Sequence, residues 1–349
     1  MDDAITLRTL TDGGQAPDEV ARLAAAFIGA ARTSLDLAQY DFHLLAETAA
    51  LVAGAIRDAA ARGVAVRLLY NVDHRHPIPV PPPAEPDVQL IASLGVPAKA
   101  IAGVPDLMHH KYAVGDREVV WTGSANWTDE SWTRQENVLV TIRSPELARL
   151  YGANFETLWE RELVEASGFE EPRPLEIGDI RARAWFCPGH GEELAHRIAK
   201  RIGCARRRVR ICSLVITAAP VLAALAQAAS EGRIELGGCV DATQMHGVVH
   251  QWTLNGNVSW KLPLLRRALA HGFSGKQSTP WKPRGSLHDY MHAKVVVCDD
   301  VVFLGSYNLS RSGEQNAENV VELEDAGLAD RLSEFVERVS ALYPPARLD

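Results

Sequence analysis

Two short stretches of the 349-residue chain gather the residue types that handle phosphate esters. The first, HHKYAVGDREVVWTGSANW, holds His109, Lys111, Asp116, Gly123, Ser124 and Asn126 in the spacing H-x-K-x4-D-x6-G-S-x-N. The second, MHAKVVVCDDVVFLGSYN, holds His292, Lys294, Asp299, Gly305, Ser306 and Asn308 as H-x-K-x4-D-x5-G-S-x-N. Ten residues beyond each asparagine stands an acid, Glu136 in RQENVLV and Glu318 in NAENVVE. One such match would be weak. Two, each leading into Gly-Ser-x-Asn and then Glu, mark a repeated unit.

The spacing suits strands. Residues i and i+2 of a strand share a face, so His109 and Lys111 point together, as do His292 and Lys294, while His110 faces the other way. KYAVGDREVVWTG reads as a hairpin turning at Gly115–Asp116, and KVVVCDDVVFLG as one turning at Asp299–Asp300. The glycine ending each return strand permits close backbone approach to a ligand. Ser124, Asn126, Ser306 and Asn308 offer neutral donors for an anion. Two imidazoles, two ammonium groups and these donors describe a phosphodiester site. The lysines would stabilise charge on the non-bridging oxygens. One histidine can attack phosphorus through a covalent phosphohistidine while the other protonates the leaving oxygen. The scheme needs no metal and no cofactor.

The elements that must position these residues also come in two copies. Helical DEVARLAAAFIGAAR, strand-like SLDLAQYDF, an Ala-rich helix over 46–62 and strand 64–71 make a strand–helix–strand rhythm. EELAHRIAKRIG, strand 207–217, helix APVLAALAQAASEG and a strand from Arg233 repeat it. Polar, Pro- and Gly-containing 166–180 reads as a linker between an N-terminal unit, 1–165, and a C-terminal unit, 181–349. The halves differ in a proline-rich loop, 74–86, and a long insertion from about 250 to 290 that carries Trp281 and Arg284, taken as substrate-binding candidates. Trp127 and Trp132 are further candidates for stacking on a base or lining an acyl site.

Composition bounds the class. Hydrophobic residues at 47% and charged residues at 23% fit a globular chain and exclude a disordered or collagen-like one. No run of about 18 apolar residues occurs. The start, MDDAITLRTLTDGG, lacks the pattern of a secretory leader. The five cysteines show no CxxC spacing, so reduced thiols and a cytoplasmic location are expected. The net charge of −8 argues against a nucleic-acid-coating protein and leaves room for a local basic cleft.

The paired motifs resemble the HKD motifs of the phospholipase D superfamily, and the resemblance spans most of the chain. It implies an α/β fold of two similar α/β/α-sandwich lobes related by a pseudo-twofold, with one shared active site. It implies His109 as nucleophile, His292 as general acid and base, and Lys111, Lys294, Asn126 and Asn308 as phosphate-binding groups. It gives Asp116 and Asp299 a supporting role, and has Glu136 and Glu318 orient the histidines across the interface. The second motif has five residues, not six, before Gly-Ser. Asp300 restores the gap, so Asp299 and Asp300 both stand as the motif aspartate.

Three functions remain open: a metal-independent nuclease, favoured here; a phospholipase or phosphatidyltransferase acting on phospholipid headgroups; and a non-catalytic phosphate-binding subunit of a larger assembly. Arg206, Arg207, Arg208 and Arg210 are read as a solvated strand edge that could also meet phosphates.

Overall fold

The two repeats fold into two sheets with matching strand order. A computed structural model describes residues 4–74, 83–103, 106–270, 272–279 and 287–348. The first lobe contains β1 (Ile5–Leu10), β2 (Ser34–Gln39), β3 (Phe42–His43), β4 (Ala65–Val72), β5 (Ala98–Ala102), β6 (Lys111–Gly115), β7 (Val119–Gly123), β8 (Trp127–Thr128) and β9 (Asn137–Arg143). Its sheet runs β1-β9-β7-β6-β2-β4-β5, with β3 and β8 paired separately. The second lobe contains β10 (Leu175–Ile177), β11 (Ile180–Cys187), β12 (Arg208–Ser213), β13 (Glu235–Asp241), β14 (Phe273–Lys276), β15 (Val295–Cys298), β16 (Val301–Gly305) and β17 (Glu318–Glu324). Its sheet runs β10-β11-β17-β16-β15-β12-β13-β14. Without β10, the two orders correspond strand for strand. The stretch expected as linker therefore supplies an edge strand to the second sheet.

Eleven α-helices occur among the described residues: α1 (Pro17–Ala30), α2 (Ala46–Ala61), α3 (Val88–Ser93), α4 (Asp129–Thr133), α5 (Pro145–Arg161), α6 (Gly191–Cys204), α7 (Ala219–Glu231), α8 (Ala242–Leu254), α9 (Leu262–Leu269), α10 (Arg311–Gln315) and α11 (Ala326–Leu342). Helices α5 and α11 begin alike. Ser144 accepts from the Leu147 N–H and Asp325 from the Leu328 N–H, each satisfying a first-turn donor. One core cluster joins both lobes, packing Tyr151 and Phe155 of α5 and Leu332 and Phe335 of α11 with side chains of both sheets. Separate clusters lie under α1 and α2 in the first lobe and under α6 and α7 in the second. The lobes are thus welded through their inner helices, which fixes where the two motifs meet. Trp127 and Trp132, expected near substrate, are fully buried in the first lobe's own core. All five cysteines are free thiols.

Candidate active site

The motif histidines meet because each motif's entry strand is bridged to the other lobe. The His109 N–H donates to the Ala317 carbonyl, and the His292 N–H to the Glu136 carbonyl. Both rings are about 5% exposed, and both line one cavity of about 500 Å³ with Asn126, Asn308, Tyr40 and Tyr290. Lys111 Nζ donates back to the His109 carbonyl at 2.8 Å and Lys294 Nζ to the His292 carbonyl at 3.1 Å. Lys294 sits at φ 47°, a strained backbone for a lysine. His110 turns away, packed against the tilted ring of Tyr112 and edge-on to Phe186, with Nδ1 facing Asn319 Nδ2 at 3.2 Å.

The rings are anchored differently. His109 Nδ1 lies 2.8 Å from Glu318 Oε1, across the lobe interface. His292 Nδ1 lies 3.1 Å from Asn137 Oδ1. Asn137 Nδ2 donates to the Ser131 carbonyl, so its oxygen is the atom turned to the ring. Both partners are acceptors. Each Nδ1 therefore carries a proton, and each Nε2 is left for chemistry.

Glu136, expected to orient His292, does not face it. Its carboxylate is held by Lys276 Nζ at 2.9 Å and by the Tyr343 hydroxyl. The cause is a single residue. Ser124 N–H donates to Val138 and Ser306 N–H to Asn319, and Gly123 pairs with Leu139 where Gly305 pairs with Val320. Spatially, Asn137 matches Glu318 and Glu136 matches Ala317. The first lobe has Arg134 and Gln135 between α4 and the bridge where the second has Asn316 alone. A one-residue offset in an extended chain exchanges the two faces.

Other expected positions are also corrected. Asp116 and Asp299 lie at the hairpin turns, roughly 16 Å along the strand from the lysines at about 3.3 Å per residue. Asp116 accepts from the N–H groups of Arg32, Thr33 and Ser34, and Asp299 from those of Arg206, Arg207 and Arg208. Partial burial opposes ionisation of both, but these hydrogen bonds prevail and hold each carboxyl below its usual range. The matching caps identify Asp299 as the motif aspartate, since Asp300 only pairs with the exposed Arg207 side chain. Ser124 and Ser306 are fully buried, and their hydroxyls serve the backbone of Val138 and Asn319. Gly123 and Gly305, at φ 151° and 156°, approach the neighbouring strand rather than a ligand: an added Cβ would stand 2.1 Å from a β9 or β17 carbonyl oxygen. Asn126 and Asn308 do reach the cavity, each with an Oδ1 that has no partner among the described residues. Trp281 and Arg284 lie outside the described residues.

Burial dominates the electrostatics. Desolvation, then Lys111 and Lys294, push His109 well below its normal pKa, and the same causes act on His292. Desolvation lowers Lys111 to about 7 against the pull of Glu318, and raises Glu318 to about 8 against the pull of Lys111. The lysines are thus short of negative charge, and an anion entering between them would restore it.

Sequence reasoning missed Asn137 and a second group. Asp41, His43 and Glu130 bring ligand-type atoms within 4.8 Å of one another, and both acids line the cavity. His43 spans them, Nδ1 at 2.9 Å from Asp41 and Nε2 at 3.7 Å from Glu130. The hydrogen bond to Asp41 raises its pKa to about 9, so the ring holds its second proton at neutral pH and a metal here would have to displace it.

Comparison with known proteins agrees with this architecture. Residues 25–159 and 198–340 match the family described as cardiolipin synthase, PLD-like domain. Mitochondrial cardiolipin hydrolase of Homo sapiens is 32% identical over 133 residues, 38% of this chain and 48% of that protein. The Xenopus laevis protein of the same name is 33% identical over 142 residues, 40% of this chain and 60% of that protein. The chain therefore spans about half the length of the curated relatives it matches. Phosphatidylserine synthase of Haemophilus influenzae Rd KW20 superposes with a TM-score of 0.64 at 12% identity, covering 96% of this chain and 85% of that one, a likeness of fold. With two matching lobes, a histidine from each at one cavity and the family match across both, the chain belongs to the phospholipase D-like family and carries both of its motifs in one polypeptide.

Proposed function

We propose that the protein is a phosphodiesterase that acts on phospholipid headgroup esters through a covalent intermediate on His109. The observation that carries this reading is the Glu318–His109 pair beside two desolvated lysines. The carboxylate holds the Nδ1 proton and raises the nucleophilicity of Nε2. In the first step the Nε2 lone pair attacks phosphorus, and the bond to the leaving oxygen breaks. His292 takes up a second proton, at Nε2, once the bound phosphate offsets Lys111 and Lys294, and gives that proton to the leaving oxygen. In the second, His292 takes a proton from water, the water oxygen attacks, and the P–N bond electrons return to His109. Lys111 and Lys294 bear the charge gathering on the non-bridging oxygens.

Two observations favour a lipid headgroup over a nucleic acid. The Asp41 and Glu130 carboxylates line the cavity beside the phosphate position, where the neighbouring phosphates of a polynucleotide would be repelled. The basic run 206–210 is engaged elsewhere: Arg207 pairs with Asp300, Arg208 with Asp330, and Arg210 with Glu235 and Glu337. Cardiolipin hydrolase relatives support the same direction.

The test is release of headgroup from phospholipid in mixed micelles, run beside end-labelled single- and double-stranded DNA, with EDTA, for the unaltered protein and for His109→Asn. Headgroup release abolished by the substitution supports the reading. DNA cleavage alone, lost in the variant, would replace lipid by nucleic acid. No turnover of either would leave a phosphate-binding subunit.

A further inference from the structure

The cavity has two unlike walls. Around Asn308 the second lobe contributes Leu214, Thr243, Gln244 and Tyr290, none of them charged at neutral pH. The first lobe contributes Asp41, Glu130 and Gln135. Asp41 is 6% exposed and Gln135 is 3% exposed. Gln135 spends its amide donor on the His288 carbonyl at 2.7 Å, and its Oε1 has no partner among the described residues. A buried amide oxygen without a donor costs roughly 1–3 kcal/mol. It belongs to a site that expects one.

This wall offers acceptors. Asp41 and Glu130 share a single imidazolium, so the group carries one uncompensated negative charge when both acids are ionised. Leu45 N–H, Thr48 and Asp129 lie behind it and engage one another, not the two acids. Beside it the Tyr40 ring presents its face to Lys111 Nζ at 4.8 Å and packs against His109 with ring centroids 4.5 Å apart. Tyr40 precedes Asp41 in the chain, so the phosphate position and the acidic wall are neighbours in one cavity. A ligand that spans both needs a phosphate at one end and, a few bonds away, a cationic group with N–H donors.

We propose that Asp41, Glu130 and Gln135 form a subsite for a protonated primary amine borne on one alcohol arm of the phosphodiester. This rests on the phosphodiesterase reading and narrows it to amino-alcohol esters. A primary ammonium brings a positive charge and three N–H donors to this wall of acceptors, and a quaternary ammonium has no N–H to give them. A polyol arm can donate hydrogen bonds but leaves the charge unanswered. The extra residue of the first lobe that shifts Glu136 out of register is also what brings Gln135 into this wall, since the second lobe has only Asn316 at that point.

The experiment has three arms. Hydrolysis of bis(4-nitrophenyl) phosphate, which has no amine, tests the phosphodiesterase reading alone. Calorimetric titration of the unaltered protein compares O-phosphoethanolamine with sn-glycerol 3-phosphate, and needs neither turnover nor a variant. The expected result is at least about tenfold tighter binding of the amine ester. Equal affinities overturn the subsite even if the aryl ester is hydrolysed. A preference without aryl ester hydrolysis keeps the subsite and overturns the reaction. In the third arm, kcat/KM is measured for phosphatidylethanolamine, phosphatidylcholine and phosphatidylglycerol in mixed micelles. Ethanolamine is expected to lead by about tenfold, and the lead to shrink to about threefold or less in Asp41→Asn and Gln135→Leu. A lead kept in both variants overturns the assignment of these residues. Soluble glycerophosphoethanolamine, run alongside, shows whether the amino-alcohol ester is taken from a lipid or free in solution.

Discussion

His109 and His292 stand at matching positions in matching hairpins, yet one leans on a buried carboxylate and the other on an amide. A carboxylate stabilises the imidazolium that forms as Nε2 reacts, and an amide oxygen fixes the tautomer without that charge. The difference suits His109 to bonding phosphorus and His292 to giving up its proton. The lobes differ again one residue earlier in each bridge. Glu136 of the first lobe and Lys276 of the second form a buried ion pair, and the residues at the pseudo-twofold-related positions are Ala317 of the second lobe and Ile101 of the first. A duplicated fold thus reaches chemical asymmetry through the register of one short crossing, without altering either motif.

The comparison breaks most visibly at the rings. His109→Asn is expected to cut turnover by about 10³-fold or more. His292→Asn should do the same while a phosphoryl label stays on the protein after acid-free gel analysis. Label retained in His109→Asn instead would reverse the assignment. Glu318→Gln, which makes both anchors amides, should lower kcat by about 10²-fold. Asn137→Asp, which makes both carboxylates, should raise the His292 pKa by about one to three units and displace a limb of the pH–rate profile upward. An unmoved profile would mean that the anchors are equivalent.

Stability gives the next largest effect. Lys276→Met leaves the fully buried Glu136 carboxylate with the Tyr343 hydroxyl alone, and should cost about 3–5 kcal/mol in denaturant unfolding. Combining Glu136→Ala with Lys276→Ile installs the residue types of the pseudo-twofold-related positions, Ala317 and Ile101, and should recover most of that loss. A double variant as unstable as the single one would show that the ion pair is more than an apolar contact in another form.

The pH dependence is smaller. Lys111 titrates near 7 in the folded protein and loses its charge as pH rises through that value, so kcat/KM should fall on the alkaline side of neutrality. His109, pushed below 6.5, stays unprotonated in mildly acidic solution, but Glu318, raised to about 8, is not yet ionised there, so the optimum lies near neutrality. An optimum above pH 9 would contradict both. Smallest is the aspartate pair. Asp299→Ala removes an acceptor shared by three N–H groups and should cost about 1–2 kcal/mol, as should Asp116→Ala. Asp300→Ala, which breaks one exposed ion pair, should cost under about 0.5 kcal/mol.

The motifs were legible because strand periodicity ties a histidine to a lysine two residues on, and because each hairpin closes on Gly-Ser. The two-lobe architecture followed from the repeat and from the resemblance it carries. The acidic positions misled. Glu-Asn-Val occurs at 136–138 and at 318–320, and letter matching aligns the two triplets, but the residue inserted after α4 moves the first by one place. Spacing counted back from β9 and β17, beginning at the glycines, would have exposed it. The aspartates were placed with the chemistry, although in a hairpin a residue at the turn is far from one at the open end. Asp41 and His43 stand two residues apart at β3 and Glu130 lies on α4, so only the folded chain joins all three.

Each histidine is completed by the other lobe: His109 by an acid 209 residues onward, His292 by an amide 155 residues back. During synthesis the first lobe therefore emerges with its motif whole and its nucleophile unanchored, and stays inert until the second lobe has folded against it. Catalytic competence appears last, so recovery of turnover after denaturation reports the joining of the two lobes through their shared core.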